Sequence, residues 1–153
     1  KGLVLLAKTK TALIGLSQAF QQNEIEKEYL AVVHGRSPAR DRIERPIQGK
    51  EAITEYETLE TAPSRVYGHL SLLRLRPVTG RTHQLRLHLR DAGHLILGDK
   101  AYAKGQRTLL GKGLFLCACR LAFAHPDSGD PVAVEIDPPN RFARVLRRER
   151  ERY

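Results

Sequence analysis

A chain of 153 residues with 41% hydrophobic and 28% charged side chains holds enough apolar material for one packed domain, which excludes global disorder. No apolar run is long enough to span a membrane, and the apolar residues 3–7 are too few for a secretory signal core. The net charge of +9, from 26 Lys and Arg against 17 Asp and Glu, suits either a polyanionic partner or a soluble basic surface with no partner.

In chain order, residues 2–8 (GLVLLAK) read as a short buried strand. Residues 10–23 follow a helical period that gathers Leu13, Leu16, Ala19 and Phe20 on one face, with Thr9 or Thr11 as cap. Residues 27–33 form a second strand, closed by His34-Gly35, and residues 36–50 read as loop because of two prolines and a glycine. Strands follow over 52–60 and 67–76. Residues 107–115 stay ambiguous, and strands resume over 114–124 and 132–137, joined by a hairpin connection at Pro126-Asp127-Ser128-Gly129-Asp130. A basic helix over 141–152 closes the chain, with Phe142, Val145 and Leu146 on one face. Its arginines belong to a solvated docking helix or to one that faces a polyanionic partner.

The expected fold is a single α+β domain with a mixed, mainly antiparallel sheet flanked by a few helices. Cys117 and Cys119 are separated by one residue on one strand, a poor geometry for a disulfide; two free thiols fit a reducing cytoplasm. No metal-ligand spacing is present.

The segment from Thr79 to Tyr102 carries the chemistry. It crowds Arg81, His83, Arg86, His88 and Arg90 together, with no acidic residue before Asp91. Leu85, Leu87 and Leu89 alternate with basic residues, which is also a strand pattern. A helix from about Thr82 to Ala92 is preferred, capped by Thr82 and ended by Gly93. A solvated surface helix would mix Arg, Lys and Glu, whereas this arginine-only face behind a Gly-Arg turn suits phosphate.

The run Thr79-Gly80-Arg81-Thr82-His83-Gln84-Leu85-Arg86-x-His88-Leu89, then Gly93-His94-x-Ile96-Leu97-Gly98-Asp99-x-x-Tyr102, resembles the signature of RluA-like RNA pseudouridine synthases. Lys27-x-Tyr29-x-Ala31-x-Val33-x-Gly35, and Leu116 through Leu121-x-Phe123-x-His125-Pro126, are similar to two further motifs of that family, in the same order. Cys117 stands where the family often has histidine.

The resemblance implies a partial catalytic domain that isomerises uridine to pseudouridine in rRNA or tRNA, in the cytoplasm, with no cofactor, no membrane and no obligate protein partner. It implies that Tyr29 stacks on the target base and that Arg86 pairs with the catalytic aspartate. Arg81, Thr82, His83, Gln84, His88 and Leu116 are the implied substrate-binding residues. The family's Arg-Leu-Asp segment precedes the strand that this chain enters at Lys1-Gly2, so the nucleophilic aspartate is expected before Lys1. None of Asp41, Asp91, Asp99, Asp127, Asp130 or Asp137 sits in that motif. Without methionine, the chain reads as processed or as a fragment, inactive by itself. The competing expectation is a noncatalytic RNA-binding protein of the same fold. A His- or Cys-dependent hydrolase lacks a nucleophile elbow and any metal motif.

Overall fold

The computed structural model describes residues 2–153. Six strands form one sheet: β1 (Glu26–His34), β2 (Arg40–Glu44), β3 (Ile53–Ser64), β4 (Gly68–Pro77), β5 (Leu116–Ala124) and β6 (Pro131–Glu135). Their spatial order is β2-β3-β4-β1-β5-β6, and every pairing between them is antiparallel. Among the described residues the isolated bridge of Gly2 to Ala118 is parallel. Three helices accompany the sheet: α1 (Lys10–Gln21), α2 (Gln84–Asp91) and α3 (Arg141–Glu151).

Strand alternation sorts the central side chains onto two faces. On one face Ala31, Val33, Leu73 and Leu75 pack against Leu85 and Leu89 of α2, with Tyr29 and Leu116 at the margin. On the other, Val32, Leu70 and Cys117 pack against Phe142, Val145 and Leu146 of α3. The basic helix therefore docks by its apolar stripe on the face away from α2. Glu149, on that same helix, is buried and accepts from Ser64 Oγ at 2.6 Å, tying α3 to the end of β3.

The α3 side of the sheet beyond the helix is a lattice of opposite charges. Arg74 bonds Glu57 at 2.5 Å and Glu28 at 3.1 Å, Arg76 meets Glu28 at 3.1 Å, and Arg120 meets Glu26 at 3.2 Å. Arg42 joins Glu44 and Glu55 at the edge. An open depression of about 470 Å³ lies there, between arginines and glutamates that already satisfy one another.

Four expectations fail locally. Residues 2–8 are not a buried strand: they are extended with one bridge at Gly2, and Val4 and Leu6 are 78% and 79% exposed. Their neighbours Leu3, Leu5 and Ala7 are half-buried, so the segment covers one surface only. In α1, capped by Thr9 Oγ1 on the Ala12 N–H at 3.1 Å, only Leu16 of the expected face is buried, while Leu13 and Phe20 are exposed. The stretch read as loop contains β2, an edge strand whose side chains are mostly charged and exposed. Finally, α2 begins at Gln84 rather than Thr82.

Candidate active site

The start of α2 has unusual local geometry. His83 occupies the cap position with φ 54°, in the left-handed region, and its side chain makes no capping bond. Thr82 lies in the turn before it, exposed, and does not cap the helix. A left-handed histidine persists only where its surroundings hold it. Here those surroundings are its hydrogen bond with Tyr102, 2.8 Å between Nδ1 and the hydroxyl, and the anchoring of the first helical turn.

Gln84 provides that anchoring. Its side chain is buried and fully engaged: Oε1 accepts from Thr79 Oγ1 at 2.6 Å and from the Arg81 N–H at 3.1 Å. Its Nε2 donates to the Ile53 carbonyl at 2.8 Å and to Thr54 Oγ1 at 3.0 Å. One turn later His88, 1% exposed, shares bonds with Thr54 Oγ1 at 2.9 Å and with the Arg45 carbonyl at 2.8 Å. His88 thus braces α2 against β3 and does not face solvent. Gln84 touches the cavity but has its polar atoms committed to protein.

Between α2, β1 and β5 lies a cavity of about 190 Å³. Its wall includes Lys27 and Tyr29 from β1, Arg81 and His83 from the turn, Gln84, Leu85 and Arg86 from α2, and Leu116 from β5. Thr82 and His88 are absent from it. The pairing of β1 with β5 shifts register between Glu28 and Tyr29, a bulge beside the tyrosine, and bulges re-aim side chains. Gly2 bridges Ala118, which is also the β5 partner of Tyr29. The described chain therefore starts two strand spacings, roughly 10 Å, from Tyr29. A Cβ on Gly2 would meet the Ala118 backbone at 2.5 Å, so this close approach needs glycine.

Arg86 was expected to await an absent carboxylate. Instead it pairs with Asp99: Nε donates to Oδ2 at 2.8 Å and Nη2 to Oδ1 at 2.7 Å. The Asp99 side chain is fully enclosed, and that of Arg86 is 19% exposed. Burial works against the Asp99 charge, but the guanidinium outweighs it and holds the carboxyl below its usual range. The same hydrogen bond raises Arg86 above its ordinary value. Among the described residues Arg86 Nη1 has no partner, so part of the guanidinium remains open. Burial lowers the Lys27 ammonium and raises the Tyr29 phenol from their ordinary values.

Sequence reading missed Lys27, the Asp99 pairing, and Tyr102, although all three occupy fixed places in the motifs. Among the described residues no Asp or Glu lines this cavity. No group of three His, Cys, Asp or Glu among them converges to hold a metal ion.

A family profile described as RNA pseudouridylate synthase matches residues 1–91. The dual-specificity RNA pseudouridine synthase RluA of Pasteurella multocida is 40% identical, the match covering 90% of this chain and 68% of that one. Its Escherichia coli K12 counterpart is 35% identical over 84% of this chain and 64% of its own. The ribosomal large subunit pseudouridine synthase C of Salmonella typhi is 34% identical over 95% of this chain and 51% of its own. The chain thus spans about half to two thirds of the curated relatives it matches. Among solved structures, human RNA pseudouridylate synthase domain containing 4 superposes with a TM-score of 0.72 at 21% identity, covering 93% of this chain and 69% of that one. Human RNA pseudouridylate synthase domain containing 1 gives 0.70 at 23%, covering 92% and 73%. At such identities these two likenesses speak for the fold, while the profile and the bacterial relatives carry the assignment: the chain belongs to the RNA pseudouridylate synthase family.

Proposed function

We propose that this chain forms the base-binding and positioning wall of an enzyme that isomerises uridine to pseudouridine in ribosomal or transfer RNA, in the cytoplasm. The observation that carries the reading is the meeting of Tyr29, Arg86 and Leu116, from three separate elements, on one cavity. In the reaction the C1′–N1 bond breaks, the base turns, and C1′ bonds to C5. The C5 hydrogen leaves and N1 gains a proton, so atoms and electrons balance without a cofactor.

A uridine reaches such a cavity only by leaving its stack. Tyr29 presents an aromatic face for the base, and Leu85 and Leu116 supply apolar walls. Arg81 and His83, at the rim, meet the RNA backbone. Arg86 orients a carboxylate at C1′ through the N–H groups that Asp99 leaves open, since a guanidinium carries donors on two edges. Asp99 itself is enclosed and doubly held, so it acts through Arg86 and not on the sugar. Because the Arg86–Asp99 pair is close to neutral, a second carboxylate beside it is oriented by hydrogen bonds without being strongly over-stabilised, and it stays reactive.

A second reading, a noncatalytic RNA-binding role, is favoured by one observation: no carboxylate among the described residues reaches the cavity. Tritium release from C5 of uridine-labelled RNA separates the two. A protein that contains these 153 residues and an aspartate opposite Arg86 releases tritium under the first reading. Tight RNA binding without release under all such conditions establishes the second.

A further inference from the structure

Tyr102 lies outside the helices and strands, yet it touches two of the polar residues that line the cavity, Arg86 and His83. Its ring lies 4.6 Å from the Arg86 guanidinium carbon and 5.4 Å from that of Arg90. Its hydroxyl bonds His83 Nδ1 at 2.8 Å, with the two rings edge-on at 80°. Its backbone N–H donates to Asp99 Oδ1 at 3.3 Å, so the carboxylate that holds Arg86 also orients Tyr102.

We propose that Tyr102 is a two-ended positioning residue: its ring fixes the plane of the Arg86 guanidinium, and its hydroxyl fixes His83 at the cavity mouth for contact with the RNA backbone. The inference rests on the RNA reading above for its second half only.

The physical need for each end is distinct. Two bonds to Asp99 hold Arg86 within the carboxylate plane but leave it free to tilt about the line joining the two oxygens. An aromatic face stacked on the guanidinium removes that tilt and favours the cation. His83, in turn, has a left-handed backbone, an exposed side chain and no capping bond. Nothing in α2 itself sets its ring. The tyrosine hydroxyl does so through Nδ1, which leaves Nε2 free for a phosphate or a ribose hydroxyl. Phenylalanine would serve the first end and not the second, and an aliphatic residue would serve neither.

That asymmetry supplies the test, made on the 153-residue chain with Tyr102→Phe, Tyr102→Leu, His83→Ala and the Tyr102→Phe/His83→Ala double variant. Affinity for fluorescent single-stranded oligouridylate is read by anisotropy. Tyr102→Phe and His83→Ala are each expected to weaken it about fivefold, the usual yield of one hydrogen-bonded contact, and the double variant no further. Proton exchange at the Arg86 Nε–H is read by NMR. It is expected to stay unchanged in Tyr102→Phe and to quicken at least about fivefold in Tyr102→Leu. Additive losses in the double variant overturn the hydroxyl's role. Equal exchange in Tyr102→Phe and Tyr102→Leu overturns the ring's role. If the unaltered chain binds no RNA, the functional reading falls and the hydroxyl's role with it, while the exchange measurement still decides the ring's role.

Discussion

Replacing Asp99 by Asn keeps the shape of the side chain and removes its charge beneath Arg86. Asp99 is fully enclosed and meets the guanidinium through two bonds of 2.7 and 2.8 Å. Removing one member of such a buried pair costs about 3–5 kcal/mol in general. Two features reduce that here: asparagine keeps one acceptor, and Arg86 is 19% exposed, so water partly rehydrates it. About 2–3 kcal/mol remains, which for a chain of this size lowers Tm by roughly 5–10 °C. The pH dependence gives an independent check. The Asp99 carboxyl is held below its usual range, so the charged form is favoured in the folded state. Its contribution is then complete above the unfolded carboxyl value of about 3.9 and is lost as pH falls through the lowered folded value. Thermal melts followed by circular dichroism between about pH 7 and pH 3 should show the two proteins converging in acid. A Tm for Asp99→Asn within about 2 °C of the parent at neutral pH, or a gap that persists undiminished in acid, would refute the argument.

His88→Ala strips two buried bonds, leaving the Arg45 carbonyl without its partner and Thr54 Oγ1 with Gln84 alone; a loss of about 2–4 kcal/mol is expected in urea unfolding. Gly98→Ala places a Cβ 2.2 Å from the Gly113 carbonyl oxygen at φ 82°, so the turn that delivers Asp99 must shift; a lowered Tm checks this, together with weaker protection of the Arg86 Nε–H. In a version that turns over, Arg86→Lys should lose at least about a hundredfold in tritium release, because an ammonium cannot serve Asp99 and a second carboxylate in one plane. The 153 residues alone should release no tritium yet bind RNA, with an affinity that falls steeply between low and physiological salt; salt-insensitive binding would remove the basic rim from the interface.

Much of this architecture was legible because its signals are local. The apolar runs of β1, β4 and β5 and the turn chemistry at Pro126 to Asp130 mark those strands and the hairpin without reference to the rest of the fold, and the His125 N–H meets the Asp130 carbonyl as a hairpin requires. What failed depends on distant partners. Arg40 to Glu44 looks like loop because its stabilisation comes from cross-strand partners on β3, such as Glu55 and Glu57, which no window of sequence reveals. In α1 the periodicity could not show what packs against the helix: Gly15 lies against Pro126 and Leu16 is buried, while Leu13 and Phe20 stay exposed. Thr82 was favoured as a cap on side-chain chemistry alone, whereas Gln84 and Tyr102 hold the turn from outside it. The meeting of Tyr29, Arg86 and Leu116 followed from the motif match, not from any periodicity. Asp99 was set aside as a candidate nucleophile, and nothing in its spacing from Arg86 marks the two as partners.

The eight residues of α2 divide their work by helical angle, and this explains why so short a helix bears so many charged side chains. An isolated helix of this length is unstable in water. Leu85 and Leu89 bury one stripe in the core. Gln84 and His88, also a turn apart, spend their polar atoms on the Ile53 and Arg45 carbonyls and on Thr54, so a second stripe is fastened to β3 by hydrogen bonds where apolar burial ends. Only the third stripe, Arg86 and Arg90, turns to Tyr102. The first two stripes fix the helix in rotation and translation, and Asp99 and Tyr102 fix the guanidinium on the third. A group that must meet a transient charge gains from being held before the substrate arrives, since no reorganisation is then needed at the moment of reaction. Under the proposed function, His88, which never reaches the cavity, and Gln84, which reaches it with its polar atoms already spent on protein, are therefore as much a condition of the chemistry as Arg86.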